Sequence, residues 1–177
     1  MYPNIILLGH INSGKTTCAD YLAKKYNYNK YSLGDSVKTF IVDLYKILNL
    51  LDSNINPINI NDLYNRDTKE LYRKHMQLIS TDLIRNYFGD DVWINYLIKN
   101  IDKKPFVIDD VRFKNEYEIF NTFNVISIRI IRNNEIKNEH ISETNLNDIK
   151  TDYTIINDND LNKLYNKIDI IMKLNKK

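Results

Sequence analysis

Eight residues near the amino terminus have the types and spacing of a phosphate-binding loop. The segment Gly9–Thr16 reads GHINSGKT and matches the pattern G-x-x-x-x-G-K-[ST] at every fixed position. In such a loop, backbone N–H groups surround phosphate oxygens, the lysine reaches the β- and γ-phosphates, and the final hydroxyl coordinates Mg²⁺. We therefore predict a nucleoside triphosphate site. The residues expected to contact ATP or its metal here are Gly9, Asn12, Ser13, Gly14, Lys15, Thr16 and Thr17.

The elements on either side of this loop are those that the chemistry requires. The apolar run Ile5–Leu8 precedes it, and the helical pattern Thr17–Ala23 follows it. A strand can deliver such a loop, and the free N–H groups of a helix amino terminus point at the bound anion. The alternative, a glycine turn before an ordinary helix, does not require the lysine and threonine.

A second candidate segment is Phe106–Asp110, an apolar stretch that ends in two acidic residues. Its form is that of a Walker B strand, which organises the Mg²⁺ shell. We expect Asp110 to act with Thr16 at the metal, with Asp109 as the alternative. Arg112 follows two residues later and places a cation near the transferred phosphate. An acidic residue at a strand end can also simply cap the next helix.

Two further polar groups lie on predicted helices. Arg73, Gln77 and Thr81 recur every four residues and so share one helical face, beside the apolar positions Met76, Ile79 and Leu83, which we expect in the core. Asp35 and Lys38 open the helix after the second strand, where an acceptor could bind at the carboxyl edge of a sheet. A solvent-facing stripe, and a helix cap at Asp35 or Ser36, are the simpler alternatives.

Composition restricts the class of protein. The 177 residues are 43% hydrophobic with a net charge of +2, which indicates one globular domain without the basic signature of a nucleic-acid binder. The single cysteine, Cys18, fits a reducing compartment and is expected to be buried. Neither a signal peptide nor a membrane span is visible in the sequence, so we expect a cytoplasmic protein.

Strand-like and helix-like segments alternate along the chain, which predicts an α/β fold with a mainly parallel sheet. The long polar stretch at about 132–150 is predicted to be a lid that begins at Arg132. The predicted strands are Asn4–Leu8, Asn29–Leu33, Pro105–Asp109, Asn124–Ile131 and Tyr153–Ile156. The predicted helices are Lys15–Tyr26, Ser36–Leu50, Asp67–Phe88, Val92–Ile101, Lys114–Asn121 and Leu161–Met172.

One motif points elsewhere. Asn166, Lys167 and Asp169 match the guanine-reading pattern N-K-x-D of GTP-binding switches. The match lies within an amphipathic helical pattern, and the chain contains no D-x-x-G, which those switches need. In a sequence rich in Asn and Lys, we interpret it as a chance match.

Taken together, these blocks and the short segment Asp91–Trp93 resemble the deoxynucleoside monophosphate kinases of phages and large DNA viruses. The longer blocks are the helix with Arg73, Gln77, Thr81 and Asp82; the segment Val107–Glu116, which contains D-V-R-F-x-N-E; and His140-x-Ser142-Glu143 followed by Tyr153–Asp158. The resemblance runs in order from the phosphate loop to the last helix. It implies a P-loop fold like that of nucleoside monophosphate kinases, with a central parallel sheet flanked by helices, ATP and Mg²⁺ as cofactors, and transfer to a nucleotide.

The resemblance also implies roles for individual residues. Arg132 and Asn157 would contact ATP, and Lys15, Arg73, Arg112, Arg132 and Asp110 would carry catalysis. The residues implied at the deoxynucleotide are Asp35, Lys38, Arg73, Gln77, Thr81, Trp93, Asp110, Arg112 and Glu143. Trp93 is expected to pack as well. Thr16 stands where relatives often carry Asp, and Ser36 where they often carry proline.

Several alternatives stay open. The expected acceptor is dGMP or dTMP, but the sequence does not determine which base or which sugar is accepted. A phosphomevalonate-type kinase, a GTP-binding switch and a catalytically silent nucleotide-binding module would use the same loop. The expected partners are small nucleotides, with neither nucleic acid nor membrane, and relatives suggest a homodimer.

Overall fold

The computed structural model describes residues 2–132, 149–158 and 160–176. The chain forms two compact units. The first, which we call the sheet unit, consists of residues 1–32 and 100–177, and the second, the helical unit, is Leu33–Lys99. The single domain expected over 1–177 stays a prediction, as does most of the lid at 132–150, which lies outside the described residues.

A five-stranded parallel sheet forms the centre of the sheet unit. The strands are β1 Asn4–Leu8, β2 Asn29–Tyr31, β3 Phe106–Ile108, β4 Val125–Arg132 and β5 Tyr153–Asn157. Their order in the sheet is β2-β3-β1-β4-β5, and every pairing is parallel. β1 is central and its last four residues are buried, as expected for a strand covered on both faces.

Three described helices belong to the sheet unit. They are α1 Lys15–Tyr26, α6 Lys114–Phe120 and α7 Leu161–Leu174. α7 places Leu164, Ile168 and Met172 in the same buried cluster as Cys18 of α1. The predicted fold class, a central parallel sheet flanked by helices, is confirmed.

The helical unit contains the remaining elements. They are α2 Leu33–Leu51, a 3₁₀ helix at Ile60–Leu63, α3 Arg66–Gln77, a π-helical segment at Leu78–Arg85, α4 Asn86–Phe88 and α5 Val92–Lys99. Its core is Ile41, Val42, Ile58 and Leu63. None of the helices in the described part of the chain has the length and apolarity needed to span a bilayer.

Some local expectations were wrong. α2 begins at Leu33, so Asp35 and Ser36 lie within its first turn and neither is the cap. The helix predicted over Asp67–Phe88 changes to i→i+5 hydrogen bonding at Leu78. The wider turns rotate later side chains away from the α-helical pattern. Leu83, expected in the core, is consequently 48% exposed. Met76 and Ile79 do pack against the core of the helical unit, as expected.

Candidate active site

The phosphate loop joins β1 to α1 and requires its glycines for space as well as for conformation. Gly9 has φ 145°, and a Cβ there would overlap the carbonyl oxygen of Ile130. Gly14 has φ 109°, and a Cβ would lie 2.7 Å from the amide nitrogen of Asn157. Both conformations are ones that L side chains rarely adopt. The fixed glycines of the motif are therefore explained by contacts with the ends of β4 and β5.

Lys15 and Ser13 supply polar groups to this loop. Nζ of Lys15 donates to the carbonyl oxygens of Gly9 at 2.6 Å and His10 at 2.7 Å. The hydroxyl of Ser13 is fully buried and has no hydrogen-bond partner in the described structure. A buried hydroxyl without a partner is costly. A cation folded over the loop and an unsatisfied donor within it both suit an anionic ligand.

A hydroxyl–carboxylate pair connects the loop to β3. The hydroxyl of Thr16 is hydrogen-bonded to Asp109, which directly follows β3. Asp109 is buried, and burial raises the pKa of its carboxyl although Lys30 and Thr16 act in the opposite direction. Asp110 instead accepts a 2.6 Å hydrogen bond from Ser32. The geometry thus favours Asp109, the alternative named above, over Asp110 as the partner of Thr16.

The pair fits a site for Mg²⁺. In the described part of the chain, no three His, Cys, Asp or Glu side chains come together as an all-protein metal cage. Mg²⁺ at phosphate sites usually takes one or two side-chain ligands and completes its shell with phosphate oxygens and water. Thr16 and Asp109 are the residues that would hold it.

Lys30 is a charged neighbour of this pair that sequence reasoning missed. Its Nζ lies 2.8 Å from Oδ1 of Asp20 and 3.6 Å from Oδ2 of Asp109. Burial alone would lower its pKa, but the two carboxylates outweigh burial and the pKa of Lys30 is raised. Lys30 therefore stays protonated beside Asp109. One lysine on a three-residue strand gives no motif by which it could have been found.

Arg132 and Asn157 brace the phosphate loop from the last residues of β4 and β5. Nη1 of Arg132 donates to the carbonyl of Asn12 at 3.0 Å, and Nδ2 of Asn157 donates to that of Ser13 at 2.8 Å. The carboxyl ends of neighbouring parallel strands meet at one sheet edge, which explains their convergence. Both were predicted to contact ATP, and that role stays a prediction. Arg132 is the last residue of β4, and the lid predicted to begin there also stays a prediction.

The D-V-R-F-x-N-E block forms a helix cap. Buried Glu116 accepts hydrogen bonds at Oε2 from the backbone N–H groups of Arg112 at 2.7 Å and Phe113 at 3.1 Å. This arrangement is half of a capping box at the start of α6, because the N-cap residue Phe113 has no side-chain acceptor for the reciprocal bond. It fixes the backbone at Arg112, whose side chain is exposed after β3. Thr17, the last loop candidate, is half-buried in the first turn of α1.

In the helical unit, the predicted stripe is exposed to solvent. Arg73, Gln77 and Thr81 are all exposed, and Nε of Arg73 lies 2.8 Å from Oε2 of Glu70. Thr81 lies within the π-helical segment. The stripe thus presents hydrogen-bonding groups on an open surface, and their contact with an acceptor stays a prediction.

At the start of α2, two predicted acceptor residues and one missed residue form a cluster. Oδ1 of Asp35 accepts from Nζ of Lys38 and from the hydroxyl of Tyr64, both at 2.8 Å. Nζ of Lys38 also lies 3.7 Å from the centre of the Tyr64 ring. Burial, and then the hydrogen bond to Asp35, raise the pKa of Tyr64 to about 12.

Trp93 packs as expected. It is 8% exposed, donates its indole N–H to the carbonyl of Ser80 at 3.0 Å, and meets Phe40 edge-on at 5.6 Å. Its predicted contact with the acceptor stays a prediction. Glu143, the remaining acceptor candidate, lies outside the described residues.

The guanine-reading alternative has a structural explanation. Asp169 lies within α7, where its carboxylate accepts hydrogen bonds from the hydroxyls of Tyr21 and Tyr26 and pairs with Lys25. In this arrangement the carboxylate stabilises the packing of α7 on α1.

Comparisons with known proteins agree with this architecture. A dephospho-CoA kinase from Campylobacter jejuni superposes with a TM-score of 0.58 over 99% of this chain and 98% of its own, at 15% identity. At that identity, the similarity supports the fold alone.

Sequence relatives come from viruses and phages. A protein of Acanthamoeba polyphaga mimivirus, named provisionally as a deoxynucleotide monophosphate kinase, is 27% identical over 92% of both chains. The deoxynucleotide monophosphate kinase of Escherichia phage RB69 is 30% identical over 65% of this chain, which spans about half (48%) of that relative. The family model described as deoxynucleotide monophosphate kinase matches residues 53–168, more than half of the chain. With the phosphate loop and the parallel sheet, this match confirms the predicted resemblance and kinase class: the chain belongs to the deoxynucleotide monophosphate kinase family.

Proposed function

We propose that this protein transfers the γ-phosphoryl group of ATP, bound with Mg²⁺, to the 5′-phosphate of a deoxynucleoside monophosphate, with dGMP or dTMP as the acceptor. The observation that carries the proposal is the phosphate loop, with Lys15 folded over it and Thr16 paired with Asp109. Family membership supports a nucleotide as the acceptor.

The chemistry does not need a strong general base. The second pKa of a phosphate monoester is about 6, so the acceptor oxygen is largely ionised at neutral pH. The difficulty is to hold two polyanions in line. The chain's task is therefore to place cations where charge develops and to exclude water.

The sheet unit supplies the donor side of this reaction. Lys15 would move from the carbonyls of Gly9 and His10 to the phosphates, and the Ser13 hydroxyl would gain the partner that it lacks. Thr16 and Asp109 would hold Mg²⁺, which when bound neutralises phosphate charge. Arg132 would keep the loop in shape and lie close enough to stabilise the transferred group, with Arg112 as a further cation.

The helical unit supplies the acceptor side. Arg73, Gln77 and Thr81 would contact the monophosphate from one helix, and Lys38 with Asp35 would bind from the start of α2. Trp93 would support this side by packing. A homodimer and a cytoplasmic location, that of the host for a viral chain, stay predictions.

The experiment that tests the proposal is ADP release from ATP–Mg²⁺ with a panel of deoxy- and ribonucleoside monophosphates and with phosphomevalonate. We expect release that depends on one or two deoxynucleotides. Release with phosphomevalonate alone would retain the fold and overturn the substrate. If no compound in the panel causes ADP release while the protein still binds nucleotide, a GTP-binding switch or a catalytically silent module would be favoured. Repeating the panel with GTP in place of ATP identifies the donor.

A further inference from the structure

The cluster at the start of α2 contains an ion pair of unusual environment. Lys38 and Asp35 are three residues apart with an N···O distance of 2.8 Å, and the Lys38 side chain is only 13% exposed. The same helix holds a second pair with the same spacing and distance, Lys46 with Asp43, whose side chains are 60% and 58% exposed. Such exposed pairs contribute little to stability. Lys38 differs from Lys46 in being largely buried.

Tyr64, which follows the 3₁₀ helix at Ile60–Leu63, contacts both members of the Lys38–Asp35 pair. Its ring covers Nζ of Lys38 at 3.7 Å, and its hydroxyl donates to the same Asp35 oxygen that accepts from Lys38. A cation this close to an aromatic face is attracted by the electrons of the ring. Lys38 is thus restrained from two sides by one residue.

Asp35 takes up only part of the hydrogen-bonding capacity of the Lys38 ammonium. An ammonium group has three N–H donors, and one of them is used by Asp35. The same carboxylate oxygen of Asp35 accepts hydrogen bonds from both Lys38 and Tyr64. The Tyr64 hydroxyl, like that of an ordinary tyrosine, is protonated and can donate throughout the neutral range. A charged lysine held in one rotamer loses less entropy when it binds phosphate than a mobile one.

We propose that Tyr64 is a positioning residue that holds Lys38, through its ring and through Asp35, in place for the phosphate of the acceptor nucleotide. The inference rests on the proposed function, because it takes the acceptor to be a phosphate monoester bound at the start of α2. Tyr64 belongs to none of the sequence motifs described above. Its ring and its hydroxyl make separate contacts, with Lys38 and with Asp35.

Two substitutions test the two contacts separately. Tyr64→Phe removes the hydroxyl and keeps the ring, so we expect about a threefold rise in the acceptor KM. Tyr64→Leu removes both contacts, and we expect about a tenfold rise. In both variants, kcat and the ATP KM should change by less than about twofold. Equal changes in the two KM values would overturn the proposal.

A double-mutant cycle tests whether Tyr64 acts through Lys38. If it does, Tyr64→Leu should cause almost no further loss in a Lys38→Ala background. Additive losses would mean that Tyr64 contacts the nucleotide itself or supports the fold. Lys46→Ala is the matched control for Lys38→Ala. The control for Tyr64→Leu is Tyr87→Leu, since Tyr87 is 79% exposed.

A measurement without turnover distinguishes this inference from the proposed function. Lysine labelled with ¹³C at Cε gives an NMR signal for Lys38, assigned by its loss in Lys38→Arg. We expect the attached protons to be shifted upfield by the Tyr64 ring, to lose that shift in Tyr64→Leu, and to move when dGMP or dTMP is added. A wild-type protein silent toward all monophosphates refutes the proposed function. An unshifted Lys38 signal, or one that neither nucleotide moves, refutes the inference in an enzyme that is active.

Discussion

The residues proposed to bind the donor and those proposed to bind the acceptor are held in different ways. In the sheet unit, Lys15 is bound to two backbone carbonyls, and Asn157 holds the loop through a buried amide. In the helical unit, the stripe of Arg73, Gln77 and Thr81 is exposed, and Arg73 pairs with a neighbour three residues away. The residues proposed for the donor are therefore held in place before any ligand binds, whereas those proposed for the acceptor would be ordered by their ligand.

The cause of the difference lies in where the residues are placed. Loops at the ends of parallel strands are tied to neighbouring strands by backbone and buried contacts. Side chains along a helix face reach only residues nearby in sequence unless another element covers them. Ordering flexible side chains costs entropy when the ligand binds, so we expect the acceptor side to control KM and the donor side to control turnover.

The largest effect is expected at Lys15. Lys15→Ala removes the cation that would stabilise the transferred phosphoryl group, and kcat should fall about a thousandfold. Circular dichroism and thermal unfolding should show an unchanged fold. Measurement of ADP release with saturating substrates tests this prediction, and near-normal turnover would contradict the whole mechanism.

The next effect tests how firmly the donor side is built. Gly9→Ala places a Cβ against the Ile130 carbonyl at φ 145°, and we expect the free energy of unfolding to fall by about 3 kcal/mol. Gly89→Ala is the matched control, because Gly89 has φ 99° but nothing within 4 Å of the added atom. Its loss should be smaller, about 1.5 kcal/mol, because only backbone strain opposes the added atom. Urea denaturation of both variants gives the comparison, and equal losses would show that strain, not space, explains Gly9.

A smaller effect is expected on the acceptor side. Arg73→Ala should raise the acceptor KM about tenfold and leave the ATP KM nearly unchanged, because we propose that the stripe contacts the acceptor and not ATP. Glu70→Gln is its counterpart: it releases Arg73 from an exposed ion pair and should lower the acceptor KM by less than about twofold. Steady-state kinetics, with each substrate varied in turn, gives both KM values. An equal rise of the two values in Arg73→Ala would contradict a place for Arg73 in the acceptor site.

The smallest expected change concerns Cys18, which reports on opening of the sheet unit. Burial raises the pKa of its thiol to about 12, and its side chain is fully buried in α1. Native protein at pH 8 should therefore react with a thiol reagent far more slowly than urea-unfolded protein. Adding ATP–Mg²⁺ should change this protection little. Labelling at the rate of a free thiol would show that the donor side is not preformed.

Much of the fold could be predicted because its patterns are local. Helix α1 begins and ends at the predicted residues, and all five strands lie within the predicted segments or within one residue of them. The π-helical segment was missed, since its apolar pattern resembles that of an α-helix. Of the site, the phosphate loop was predictable from spacing, but Lys30 and Tyr64 were not, because neither belongs to a motif.

The sequence by itself determined the chemistry of the loop, the parallel α/β class and the family. These follow from residue type, spacing and periodicity, which act over a few neighbours. Only the tertiary structure decided that Asp109 pairs with Thr16, that Asn157 braces the loop, and that Tyr64 covers Lys38. Each of those contacts joins residues far apart in the chain, and the packing that brings them together depends on the whole fold.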